Sequence, residues 1–413
     1  LPFFIFFGYL FLATVLIINI PFFKKSKIGS AWLIGLFLIR IVAGVAYGYV
    51  HAHPPPHIGL TDTWKFFNES LPETELLKHN PKAFIQDLLP NNSTGYHLFS
   101  TQNNYWNNIK VTIMVKLAAV FNLFSAGNYY VNLIFYNFLC FFGVVFLFKV
   151  LEEKLKNKFL SIGISFLIPS VVFWGSGFHK EGLILTSLCA IIFYTERLVL
   201  KRKYILSIPI LFFLFLVLLL RTNILFAFLP AFLSWILSMI YPRFSLRFFL
   251  GVNILSLILF FTSKFLIASV DIPKYVAERQ WEFIQLQGKT MVQVPKLTPD
   301  FAGFVHNFPT AVNMAFLRPY FGEGGMGYLP FCIETFLILP TIIFGIGLLL
   351  FKRGDLPIFF MFCLNFSILL LIIIGYTIPN VGAIIRYKSI ALPFLLASFM
   401  PIVIKSLSTN KIH

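Results

Sequence analysis

Residues able to do polar chemistry are scarce in this chain, and those that occur between apolar runs form a recurrent set. Asp62 opens a long connection after the second apolar run, with His51, His53, His57, Trp64 and Lys65 around it. The stretch Phe173-Trp174-Gly175-Ser176-Gly177-Phe178-His179-Lys180-Glu181 joins two runs, Arg221 sits between two more, and Arg318-Pro319-Tyr320-Phe321-Gly322-Glu323 precedes another. Arg386-Tyr387-Lys388 lies near the last. Guanidinium forks and an ammonium facing a few carboxylates suit a phosphate or pyrophosphate ester. A carboxylate beside them can take a proton from an acceptor hydroxyl. Asp62 is the preferred base, with Glu181 and Glu323 as alternatives. Lys180, Arg221, Arg318, Arg386 and Lys388 are the candidate substrate and phosphate ligands. The competing reading places each cation in lipid headgroups, with the carboxylates paired to them.

The elements that must hold these residues are membrane helices. Of the 413 residues 58% are hydrophobic and only 12% charged, against roughly 25% charged in soluble domains. The mean hydropathy is +0.83. Apolar runs of spanning length lie at 2–20, 31–50, 128–149, 158–174, 181–199, 204–220, 223–241, 246–267, 328–351, 356–375 and 388–404. The expectation is one all-α polytopic membrane domain over 1–413 with about eleven transmembrane helices. Residues 1–20 lack a basic n-region and a small-residue cleavage site, so a retained helix is expected rather than a signal peptide. The run 111–124 is short and contains Lys116, and is expected to lie at the surface.

The net charge of +17 follows the loops. Lys24, Lys25 and Lys27, then Lys149 to Lys158, Arg197 to Lys203, Arg243 and Arg247, Lys352 and Arg353, and Lys405 and Lys411 occupy alternate connections. The positive-inside rule puts these and the C-terminus in the cytoplasm. The long connections 51–127 and 268–327 then face outward, as ordered caps with interfacial helices. Scattered basic residues point to membrane lipids as partners and exclude nucleic acid, which would need a basic stripe.

Two charges fall inside runs, Arg40 and Glu334; at that depth a charge faces a cavity or a partner, and pairing with each other is one possibility. His51, His53 and His57 surround Pro54-Pro55-Pro56 without a metal-binding pattern, so no metal is expected. No phosphate-binding loop or dinucleotide fingerprint occurs, and no cofactor is expected. The four cysteines, Cys140, Cys189, Cys332 and Cys363, lie in apolar runs without metal spacing and are expected to be packing residues.

The Asp62 loop after an N-terminal helix pair, the Phe-Trp-x-Ser-Gly-x-x-Lys-Glu stretch at Phe173–Glu181, Arg318-Pro319 and Asn380 with Arg386-Tyr387 together resemble GT-C type membrane glycosyltransferases and bacterial membrane proteins of polysaccharide assembly. The resemblance implies a multi-spanning helical fold and a polyprenyl-phosphate-linked sugar donor used at the outer face of the cytoplasmic membrane in cell-envelope glycan assembly. It maps the catalytic carboxylate onto Asp62, and phosphate binding onto Arg318, Arg386 and Lys180. Here the loop follows the second helix rather than the first, and no acidic pair accompanies Asp62. A polysaccharide polymerase, a lipid-linked glycan flippase and a non-catalytic envelope scaffold are the alternatives.

Overall fold

The computed structural model describes residues 2–52, 61–89, 104–286, 288, 290–352 and 356–409. Of the described residues 85% are helical. In chain order its helices are α1 (Pro2–Asn19), α2 (Pro21–Lys24), α3 (Ser30–Ala52), α4 (Asp62–His79), α5 (Pro81–Gln86), α6 (Tyr105–Ser125), α7 (Tyr129–Leu155), α8 (Lys158–Phe166), α9 (Pro169–Ser176), α10 (Lys180–Lys201), α11 (Ser207–Leu220), α12 (Thr222–Ile240), α13 (Ser245–Leu266), α14 (Ile272–Gln285), α15 (Phe301–Val312), α16 (Leu329–Lys352), α17 (Ile358–Thr377) and α18 (Val381–Thr409). Among the described residues nine helices are long and apolar enough to cross a bilayer, ten if the bent pair α8–α9 counts as one. The protein is an all-α, multi-pass membrane protein.

By length and composition alone the count falls short of the expected eleven, for physical reasons. The run 158–174 is not one straight helix, because α8 and α9 meet at a 48° bend. Pro169 has no amide to donate to a continuing helix, so a new helix starts there. The apolar helices Phe3–Asn19 and Tyr204–Leu220 are shorter than the rest. The run 111–124 belongs to α6, a helix of 21 residues. Its first turn, Tyr105 to Asn108, is polar and started by the Asn104 side chain, which accepts from Asn107 N at 2.9 Å. The length of α6 is that of a span, but its buried polar groups face polar partners. Lys116 pairs with Glu73 at 2.5 Å and Asp87 at 3.0 Å, and Asn122 donates to Ser70 and Thr74 on α4.

The chain forms two compact units. The first holds the described residues up to Arg221, except Ile168–Ser170; the second holds those from Thr222 onward together with Ile168–Ser170. In the first, α7 is central and packs on α1, α3, α6, α8 and α10. Its core is aromatic, with Phe23, Phe37, Phe141, Phe148 and Phe166 all buried. In the second, α17 is central, against α12, α14, α15 and α18. Gly375 of α17 lets the backbone of Ala311 on α15 approach where a Cβ would collide with it. The amphipathic α14 and α15 bury Tyr275, Val276 and Phe304. Asp300 caps α15 by accepting from Gly303 N at 2.8 Å, and that bond, with help from Thr298, holds the Asp300 carboxyl below its ordinary range. All four cysteines are buried free thiols.

Candidate active site

In the first unit the start of α4 is pinned on both sides of Asp62. The Thr61 hydroxyl donates to His51 O at 3.0 Å and Trp64 Nε1 donates to Gly48 O at 3.0 Å. Thr63 and Tyr129 share a hydroxyl hydrogen bond of 2.6 Å. Gly48 is needed beneath this anchor, because a Cβ there would enter the Tyr129 ring. Asp62 therefore stands in the first turn of a helix, where a negative charge is favoured, with its side chain 51% exposed.

The second component is the turn between α9 and α10. Three of its carbonyls are received by buried side chains from α3 and α7. Arg40 donates to Gly175 O at 2.6 Å, Asn137 Nδ2 donates to Ser176 O at 2.8 Å, and the Tyr136 hydroxyl donates to His179 O. A broken helix leaves backbone groups unpaired inside an apolar region, where each costs about 1–3 kcal/mol; these donors remove that cost. Gly177 sits against the Tyr47 ring, and Gly182 against the Tyr136 hydroxyl and Gly175 O, in both cases where a Cβ would collide.

So held, His179 is fully buried and caps α10. Its Nε2 lies 3.1 Å from Asp62 Oδ2. Its Nδ1 accepts from Lys180 N at 2.9 Å and also lies against a carboxylate oxygen of Glu181. The two compete for Nδ1. A neutral ring accepts there from the amide, and a charged ring donates to Glu181; in both states Nε2–H stays on Asp62. Glu181 is buried and its other oxygen meets Arg221 Nη2 at 3.1 Å. The result is a line of groups, Asp62–His179–Glu181–Arg221, running from a half-exposed carboxylate into the protein. Lys180 stands beside it, 5.3 Å from the Phe66 ring. The carboxylates contact opposite nitrogens of one ring, so they do not converge on a metal, and no metal-ligand group occurs among the described residues. His51 stacks on Tyr47 and bonds its carbonyl; His53 and His57 lie outside the described residues.

Apart from Arg40, the other sequence candidates lie in the second unit. Arg318 Nη1 pairs with Glu323, and Nε donates to Asn313 Oδ1 at 3.3 Å. Glu323 also accepts from Tyr320 N at 2.9 Å, closing the turn around the cis Arg318–Pro319 peptide. Lys388 is buried and donates to Arg318 O at 2.8 Å. Glu334 is buried and accepts from Ser170 N at 2.7 Å. Arg386 Nη2 is 3.3 Å from the Tyr387 hydroxyl. Arg40 and Glu334, expected to face a cavity or a partner, each receive or give a backbone hydrogen bond within their own unit.

The structure thus brings Asp62, Lys180, Glu181 and Arg221 together in one unit, and Arg318, Glu323 and Lys388 in the other. Sequence reasoning did not single out His179, Tyr136 or Asn137. The signals were faint but present: a histidine just before an apolar helix, and an asparagine and a tyrosine in mid-span. No family model, curated protein or solved structure matches this chain.

Proposed function

We propose that the protein is a membrane glycosyltransferase that takes sugar from a polyprenyl-phosphate-linked donor at the outer face of the cytoplasmic membrane, in cell-envelope glycan assembly, with its C-terminus in the cytoplasm. The observation that supports this most is the half-exposed Asp62 carboxylate backed by buried His179, Glu181 and Arg221. A carboxylate so held can act as general base with its orientation fixed.

In this reading Asp62 takes the proton from an acceptor hydroxyl as that oxygen bonds the anomeric carbon of the donor. The bond between that carbon and the phosphate oxygen breaks, and its electron pair leaves with the polyprenyl phosphate. Lys180 offers a point charge to the departing phosphate. Nε2–H of His179 steadies Asp62, and the Glu181–Arg221 pair steadies His179. A polymerase joining whole repeat units would use the same base. A flippase would need charges along a path, whereas Arg40 is occupied by Gly175 O and Glu334 by the Ser170 amide.

The test is transfer from a labelled polyprenyl-phosphate sugar in proteoliposomes. Asp62→Asn is expected to lower the rate by about 100-fold or more while the melting temperature stays unchanged. Full transfer by Asp62→Asn would sink the reading and favour the scaffold.

A further inference from the structure

An open cavity of about 340 Å³ lies within the second unit, inside the roughly 300–1,000 Å³ range of small-ligand sites. One wall is the extended segment that follows Met291, fixed by Val292 N donating to Pro379 O at 2.8 Å and Val381 N donating to Thr290 O at 3.0 Å. The opposite wall comes from the end of α15 and the turn after it. Gln293, Thr310, Asn313 and Arg318 give the lining its polar groups, and Val292 and Met314 give it apolar ones.

We propose that this cavity is a subsite for an uncharged sugar ring, a proposal that rests on the carbohydrate reading above. Charge and wall chemistry both select such a ligand. The Arg318 guanidinium is already neutralised by Glu323. A phosphate dianion placed beside it would gain little from a guanidinium already paired, and the like charge of that carboxylate behind the guanidinium opposes binding. A lipid tail would strand four polar side chains against hydrocarbon. A sugar ring matches both kinds of wall, with hydroxyls around its rim and C–H groups on its faces. The fixed parts are in place too. Asn313 Oδ1 accepts from Arg318 Nε at 3.3 Å and from the Tyr320 hydroxyl at 3.2 Å. That fixes the carboxamide, and among the described residues its Nδ2 and Arg318 Nη2 keep donor capacity for ligand hydroxyl oxygens.

The experiment is saturation-transfer NMR on the full chain in nanodiscs. The neutral probes are the methyl glycosides of glucose, galactose and N-acetylglucosamine; the anionic probes are glucose 1-phosphate and methyl glucuronide. At least one neutral glycoside is expected to give a signal that weakens about fivefold in Thr310→Val, the effect of one lost hydrogen bond. Gln293→Ala, at an exposed side chain, serves as a second variant should Thr310→Val fail to fold. Absence of any neutral signal sensitive to either variant overturns the proposal. So does a variant-sensitive signal from the anionic probes alone: glucose 1-phosphate would then mark a phosphate site, and the glucuronide a carboxylate site. Repeating the measurement in Asp62→Asn separates the two claims. Retained sugar binding with lost transfer supports both, while retained binding with full transfer removes the catalytic reading and leaves the subsite standing.

Discussion

The turn before α10 and the turn before α16 both carry charged residues between apolar helices, yet they are held in different ways. The first is gripped by its backbone, with Arg40, Asn137 and Tyr136 reaching from buried positions to three of its carbonyls. The second is held mainly from within, with Glu323 closing on Arg318 and on Tyr320 N and only the Arg318 carbonyl received by a buried side chain, that of Lys388, beside an open cavity. A turn fixed through its carbonyls leaves its side chains to act on one another, as His179 does on Asp62 and Glu181. A turn fixed through its side chains has spent most of its charge and keeps hydrogen-bond donors instead. The first arrangement suits proton chemistry, and the second suits recognition of hydroxyls.

The largest expected effects fall on the first turn. Beyond the loss in Asp62→Asn, His179→Gln is expected to lower transfer by about 100-fold through misplacement of the base, with substrate KM little changed. A change in KM alone would make His179 a binding residue and break the contrast. Next comes Gly182→Ala, whose methyl meets Gly175 O and the Tyr136 hydroxyl; overpacking there is expected to cost about 1–3 kcal/mol, read as a lowered unfolding midpoint in detergent. A neutral Gly182→Ala would mean that the carbonyl clamp is loose.

A smaller effect is expected from Arg318→Lys. It loses the fork to Glu323 and Asn313 but keeps a positive charge, and a partly exposed pair costs about 1 kcal/mol or less. Neutral-glycoside binding should fall more than stability does. Unfolding with no change in binding would invert the comparison. The smallest effect concerns Asp300. Its folded carboxyl titrates below the unfolded value, so the capped α15 is favoured above the unfolded pKa, and that gain fades as pH falls through the folded one. Asp300→Asn should flatten this acid limb of the unfolding midpoint, and an unchanged limb would remove Asp300 as its source.

Much of the fold can be read from apolar run length, because a buried helix in hydrocarbon cannot be interrupted without leaving unpaired backbone groups. That reasoning found α3, α7, α10 and α12, and located α13, α16, α17 and α18. It underestimated the length of α6, whose polar first turn does not read as part of an apolar run, and it read through Pro169, where composition outweighed the missing amide. The site was legible only as an inventory. Asp62 stood out as the first acidic residue after the second run, and Arg221, Glu181 and Lys180 stood out by charge. The contact that joins them was not legible, since His179 and Asp62 are 117 positions apart and no spacing rule links them. Arg40 showed as a costly charge, but its partner is a carbonyl, which leaves no mark in sequence.

The carbonyl clamp also has a genetic consequence. Positions 40, 136 and 137 act on the same turn as positions 175 to 179, so lesions in either group should give one phenotype and combine without adding. Second-site suppressors of a displaced His179 should be sought in α3 and α7, far from it in the chain, rather than among its neighbours in α10.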